Sequence, residues 1–382
     1  MKTISNLRHV SIITIIFLIF ESCGNNNENI IHAGEKRTSI SIVIDSMIID
    51  ATYTSGQGNF YMKDSIITFA DTYYSTFFHY DINTGKYISK HFSRGNGPNE
   101  LNKFMCAYPA LNGKQVFILD ASNYLLSFDE QFNISKHGTV NFGWSKNQQS
   151  SDFESPTNYN VMQMTDFGIH FTYLNDSILI IPVNIVKRFT SRHGLIHRNH
   201  YKRGHIFGKL NINNMKVEKI FGQFPEIYKK SPTPHLEFFQ YAVKGDTMYV
   251  NHAVDSLIYV YEYPDRLLYT MGYECNNINR KYTITTIVDE GRIFMDDKKK
   301  AEINTGLKYI PQTNLLIRTY MKFIRGESGL QVYENSHLIG DFEMPPYFIF
   351  LGYYNGVYYG VRIIPIETED KTEFVFYKLI VK

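Results

Sequence analysis

The chain has 382 residues, 43% of them hydrophobic and 20% charged, and its 39 Lys and Arg nearly balance 37 Asp and Glu. These proportions exclude a disordered chain, a collagen and, with only 3 Cys, a disulfide mini-scaffold; a formal charge of +2 is too small to drive binding to nucleic acid by bulk electrostatics. The unusual numbers are 29 Tyr and 28 Phe. Flat rings pack well across a pleated surface, so an all-β fold is expected.

At the N-terminus, Lys2 and Arg8 precede an apolar run from Val10 to Phe20. The run suits the core of an export signal and falls short of the roughly 20 residues that a membrane-spanning helix requires. It ends at Phe20-Glu21-Ser22-Cys23, and a Cys directly behind an apolar core and a small residue resembles the lipobox of bacterial lipoproteins. Phe20 and Glu21 stand where Leu and a small residue are usual. The expectation is a signal peptide over residues 1–22, a lipid on Cys23, a flexible polar tether over 23–39 and a folded domain over 40–382. A plain secreted protein cut near Ser22 is the alternative. Cys106 and Cys275 lie far apart and are expected to be two buried thiols rather than a disulfide.

From about residue 40 the chain is a succession of short strands separated by Asn, Asp and Gly turns, with no amphipathic helix between them. Ile40 to Ile49 has no partner near it in sequence. Then Asp64 to Phe69, Thr76 to Asp81 and Tyr87-Ile88 form strand, strand, turn, strand, and the phrase recurs in Lys114 to Asp120, Tyr124 to Asp129 and Phe132 to Ile134. It returns in Asp176 to Ile181, His205 to Leu210 and Val217 to Phe221, and again in Gly245 to Asn251, Leu257 to Tyr261 and Leu267 to Tyr269. A fifth copy ends in Leu330 to Tyr333 and Leu338 to Phe342, and a last one comprises Gly356 to Val361 and Phe374 to Leu379. Six units over residues 23–382 give about 60 residues each, more than the usual propeller repeat, and the surplus falls in inserts near 144–166, 187–203 and 276–300. The predicted fold is therefore an all-β, six-bladed β-propeller in which the early strand closes the ring against the C-terminal blade. A β-sandwich is the alternative.

The segment Ser93-Arg94-Gly95-Asn96-Gly97-Pro98-Asn99-Glu100-Leu101, with Gln115 to Asp120, Asn123 and Leu125 to Asp129, resembles one unit of the NHL-type propeller repeat. Leu101 stands where that pattern has Phe. The phrases Phe207-Gly208-Lys209-Leu210 and Phe221-Gly222-Gln223-Phe224-Pro225, together with the lipobox, are similar to those of TolB-like six-bladed propeller lipoproteins of Bacteroidetes. This resemblance implies an exported protein anchored at the outer membrane, on its periplasmic or surface face, and implies little chemistry.

Candidate binding residues come from one insert. Arg192, His193, His197, Arg198, His200, Lys202 and Arg203 form a basic stretch without Asp or Glu from Lys187 to Leu210. Imidazoles at that density could ligate a metal, but the surrounding cations repel one, so no metal and no cofactor is expected. The stretch reads as a rim loop for an anionic ligand or an envelope protein, or as a solvated insertion. Gly95-Asn96-Gly97-Pro98 lacks the Lys and helix of a phosphate cradle and reads as a connection between blades, and Asp120 and Asn123 read as turn residues. Asp289, Glu290, Asp296 and Asp297 read as an exposed charged loop, and Trp144 as a core residue. No nucleophile elbow, zinc-protease motif or paired glycosidase carboxylates are visible, so no catalytic residue is assigned. The expectation is a binding or scaffold protein; the alternative is a glycan hydrolase or lyase with acids in an axial funnel.

Overall fold

The computed structural model describes residues 40–382 apart from 52, 98, 112–114, 130, 144–154, 163–169, 186–198, 277, 288–289, 323–325 and 367–370. The fold is all-β: four four-stranded antiparallel sheets, a parallel pair Ser93–Arg94 with Glu100–Leu101, and a nine-stranded sheet in which two four-stranded arrays join edge to edge and Tyr159–Val161 pairs with Ile178–Ile185; the six four-stranded arrays are numbered I–VI as sheets. Sheet I holds Gly58–Lys63, Ile66–Asp71, Thr76–Asp81 and Tyr87–His91, and sheet II holds Phe104–Leu111, Val116–Asp120, Tyr124–Phe128 and Ile134–Thr139. Sheet III holds Phe171–Asn175, Ile178–Ile185, His205–Asn211 and Lys216–Gln223, and sheet IV holds Phe239–Lys244, Thr247–His252, Ile258–Glu262 and Arg266–Met271. Sheet V holds Glu302–Ile310, Leu315–Lys322, Glu327–Glu334 and His337–Met344. Sheet VI takes Ile349–Tyr354, Val357–Ile366 and Lys371–Val381 from the C-terminus, and its fourth strand is Ile42–Asp50 from the N-terminus. That strand pairs antiparallel with the last one from Ile42↔Val381 to Asp50↔Glu373, as predicted for the early strand.

Tight turns hold each array in register. Asn335-Ser336 and Asn355-Gly356 both have two successive positive φ values, +46°/+70° and +46°/+84°, the type I′ geometry that matches the twist of a hairpin. Asp120 closes another turn: its Oδ1 accepts from the Ser122 and Tyr124 amides and the Ser122 hydroxyl, and Asn123 sits at φ +61°. This is the turn role expected of both residues.

Aromatic side chains on both faces of each sheet pack against the neighbouring sheets. Phe77 of sheet I meets Phe104 of sheet II at 5.6 Å between ring centroids, Tyr108 of II meets Phe171 of III at 4.4 Å, and Phe207 of III meets Phe239 of IV at 5.2 Å. Ile258 and Val260 of IV pack with Leu307, Tyr333 and Leu338 of V, while Ile317, Leu330 and Val332 of V pack with Phe350 and Tyr377 of VI. Phe374 of VI then returns to sheet I, 4.8 Å from Phe60 and 4.9 Å from Phe69. Contacts among the described residues therefore run from each array to the next and from VI to I. The first strands also meet: Phe171 and Thr172 pair in parallel with Ala110 and Leu111, Asn59 Nδ2 donates to Ala107 O, and Lys308 Nζ donates to Leu351 O at 2.6 Å.

Alternation of strand direction sorts the connections. The first-to-second turns of all six sheets and the third-to-fourth turns of sheets I–V fall at one end, called the turn end. The second-to-third connections and every crossing from one sheet to the next fall at the other, the loop end. The three longest connections, after Thr139, Ile185 and Met271, are therefore all at the loop end.

Two expectations need correction. The insert near 276–300 contains a helix, Glu290–Lys298, where no helix was expected. Asp297 is buried rather than exposed, because its carboxylate accepts from Thr283 N, Thr283 Oγ1 and His235. Cys106 and Cys275 are buried and are not joined in a disulfide. Trp144 lies outside the described residues.

Candidate functional site

A polar cluster at the loop end is built where the crossing from sheet III to sheet IV meets two of the long inserts. Pro234–Leu236 forms a single 3-10 turn, fixed from below by the Tyr228 hydroxyl, which donates to Leu236 O at 2.7 Å. The turn presents His235 to one side and Glu237 to the other. His235 Nε2 lies 2.7 Å from Asp297 Oδ2 on the helix Glu290–Lys298. Glu237 Oε1 lies 3.0 Å from His200 Nε2 and accepts from the Tyr201 hydroxyl at 2.8 Å, both from the insert of sheet III. Two histidine–carboxylate pairs thus bolt both inserts to one short crossing.

Burial pushes the Asp297 carboxyl up, but hydrogen bonds from Thr283, His235 and Lys300 outweigh it and leave the group below its ordinary range. Asp297 is therefore an anion that fastens the 276–300 segment. Behind the cluster, His252 is fully enclosed by the rings of Tyr228, Phe239 and Tyr259, and burial lowers its pKa to about 3. Further round the loop end, the buried Arg318 guanidinium donates to Ser256 O at 2.7 Å, to Gln331 Oε1 at 2.9 Å and to Tyr273 O. Gln331 passes the contact on to Asp341 at 3.0 Å. Its partners are backbone carbonyls, one amide and the Cys275 sulfur at 3.8 Å, a cage that holds the crossing from sheet IV to sheet V.

A cavity of about 220 Å³ opens between the connection from sheet I to sheet II and sheet II itself, lined by Gly95, Asn96, Glu100, Asp120 and Tyr124. Glu100 Oε2 accepts the Gly97 amide at 2.7 Å. The glycine-rich turn thus closes on its own carboxylate and serves as a connection between sheets, the reading made from its sequence.

Of the basic residues singled out in the sequence, His200, Lys202 and Arg203 form the short helix His200–Arg203. Lys202 and Arg203 are exposed, whereas His200 is fully buried against Glu237 and does not contribute to the exposed cationic surface. Arg192, His193, His197 and Arg198 lie outside the described residues, as does Cys23. The flanking residues Ile185 and Asn199 both stand at the loop end. Sequence reading found no acidic partner for this stretch because Glu237 comes from another connection. The first strands of the six sheets together contribute one carboxylate among the described residues, Glu302, whose Oε2 accepts the Asn279 amide at 2.5 Å and whose pKa is raised by burial. No group of three or more His, Cys, Asp and Glu with metal-holding geometry occurs among the described residues.

No protein-family model and no curated protein matches the chain. Among solved structures it is similar to a member of the DUF4221 family from Bacteroides vulgatus, at 13% identity and a TM-score of 0.64 over 91% of this chain and 99% of that one. It is also similar to a protein from Bacteroides fragilis described as a candidate exported protein, at 11% identity and a TM-score of 0.49 over 92% of this chain and 98% of that one. The first likeness establishes a shared fold. Neither neighbour carries a TolB or NHL name. No helix among the described residues is long and apolar enough to cross a membrane.

Proposed function

We propose that this protein is a lipid-anchored envelope protein whose six sheets close into a six-bladed β-propeller of the TolB-like and NHL-like kind, and whose loop end binds an anionic ligand. The cyclic packing from Phe77–Phe104 round to Phe374–Phe60 supports the ring, as does the N-terminal strand that completes sheet VI. One observation carries the functional part. All long connections, the basic insert among them, emerge at the loop end, whereas the chain enters its first strand at the turn end, where Ile42 pairs with Val381. A tether running from Cys23 into that strand leaves the loop end clear of the membrane to which a lipid would hold it.

The attraction is electrostatic and local. Lys202 and Arg203 are exposed, Arg192 and Arg198 precede them in the sequence, and exposed cations act within about 8–10 Å at physiological salt even on a nearly neutral protein. Acidic sugars of the envelope are the ligand class that fits. The test measures binding of the mature protein to immobilised polygalacturonate at several salt concentrations, beside a variant carrying Arg192→Gln, Arg198→Gln, Lys202→Gln and Arg203→Gln. Weaker binding and a shallower salt slope with an unchanged melting temperature support the reading; equal binding by both proteins discards it. The anchor is tested separately by Cys23→Ser, which releases the protein from the membrane fraction if a lipid holds it there.

A further inference from the structure

We infer that the rim of the molecule around its N-terminal strand is a membrane-docking face on which the protein lies edge-on against a lipid bilayer. The strand Ile42–Asp50 is the outermost of sheet VI, and one of its edges has no neighbouring strand. Ile48 is 68% exposed and Tyr53, just beyond the strand, 84%. Facing them across a groove of about 530 Å³ is Tyr87 of sheet I, 55% exposed, with Ile49, Phe78 and Tyr80 forming the floor. Single exposed apolar side chains are common on any surface, but here they border one groove and continue along the strand through Val43 and Ile44.

The occupant follows from where the remaining chain ends. Residues 23–39 separate Cys23 from the first described residue, and a random coil of that many residues has an end-to-end distance of roughly 20–25 Å. On the lipid-anchor reading, which this inference takes for its orientation, the tether therefore brings this strand closer to the headgroups than any other part of the domain. The side chains suit that depth. Tyr53 and Tyr87 have the apolar body and polar tip favoured at a membrane interface, and exposed Lys86 and Lys90 bracket Tyr87-Ile88, where they can meet lipid phosphates. Among the described side chains of the strand the exposed carboxylate is Asp45, whose Oδ1 accepts the Ser46 amide. Edge-on seating leaves both ends of the sheet array facing water, so the loop end remains open to ligand.

The experiment uses the full mature chain carrying Cys23→Ser, free of lipid, floated with vesicles of phosphatidylethanolamine and phosphatidylglycerol, beside the same chain with Ile48→Asp and Tyr53→Asp added. The expected result is flotation that falls about tenfold in the double variant, since two apolar contacts are lost at the bilayer surface. An unchanged melting temperature confirms that both chains are folded. Equal flotation of the two proteins, or no flotation of the parent, overturns the inference. So does a concentration-dependent dimer in sedimentation velocity that the double variant abolishes, because the face then belongs to a second copy. The lipid-free chain needs no anchor to bind, so failure here is distinguishable from failure of the anchor, which membrane fractionation of the Cys23→Ser protein reads alone.

Discussion

Acid should destabilise this protein through histidines buried in neutral form, and His252 offers the cleanest test. Its ring is fully buried among Tyr228, Phe239 and Tyr259, and neither ring nitrogen has a partner among the described residues. The nearby Asp255 carboxylate is engaged by the Tyr259 hydroxyl at 2.7 Å and the Leu257 amide at 3.0 Å. Burial alone lowers the His252 pKa from 6.5 to about 3. The unfolded chain therefore binds a proton more readily than the folded one. The contribution to stability is complete above pH 6.5 and is lost as pH falls from there towards 3. At pH 5 the loss amounts to about 2 kcal/mol, one and a half pH units at about 1.4 kcal/mol each. His79, lowered to about 4 by burial and the neighbouring His91, adds a loss of the same sign over pH 6.5 to 4. His252→Leu removes the titrating group without sacrificing a hydrogen bond. Urea unfolding of both proteins at pH 7 and pH 5 should show the variant losing about 2 kcal/mol less than the parent over that interval. At pH 7 the variant should be at least as stable as the parent. Identical pH dependence in the two proteins would refute the reasoning.

Three further outcomes are expected. Phe374→Ala empties the contact between the last sheet and the first, where Phe60 and Phe69 lie within 5 Å of its ring, and should lower unfolding free energy by about 3–5 kcal/mol in a urea titration. Asp297→Asn removes the anion shared by His235, Thr283 and Lys300, so limited proteolysis should cut the 276–300 segment faster than in the parent; an unchanged rate would mean that the segment is held by other contacts. Arg318→Leu leaves the carbonyls of Ser256 and Tyr273 without their donor and should cost about 2–4 kcal/mol, read as a shift of the urea midpoint.

The outer strands were legible because each is short and flanked by Asn, Asp or Gly. Tyr124–Phe128 and Ile258–Glu262 were found this way. The first strand of each sheet was not. Phe104–Leu111 and Phe239–Lys244 are enclosed from several sides, so their apolar residues show little alternation, and Pro109 interrupts the former. The all-β class was still legible, since the remaining strands of each unit alternate with turn residues. The helix Glu290–Lys298 escaped notice because its run is short and contains Gly291 and several charges; its apolar contact is Phe294 on Phe238 at 5.8 Å. Asp297 and Glu237 illustrate the larger obstacle. Their partners, His235 and His200, lie 62 and 37 residues away, and only the crossing from sheet III to sheet IV brings them together.

The most direct test of the account is whether the first and last sheets meet in solution. Lys378 Nζ donates to Asn83 O at 2.9 Å and helps hold the Asp81 carboxyl below its ordinary range, although 295 residues separate Lys378 from Asn83. Treatment with a zero-length carbodiimide, followed by mass spectrometry of the peptides, should recover an amide between Lys378 and Asp81. Recovery of the within-sheet link Lys209–Glu218, which spans 3.3 Å, without any link from Lys378 to the Asp81 peptide would contradict closure of the ring.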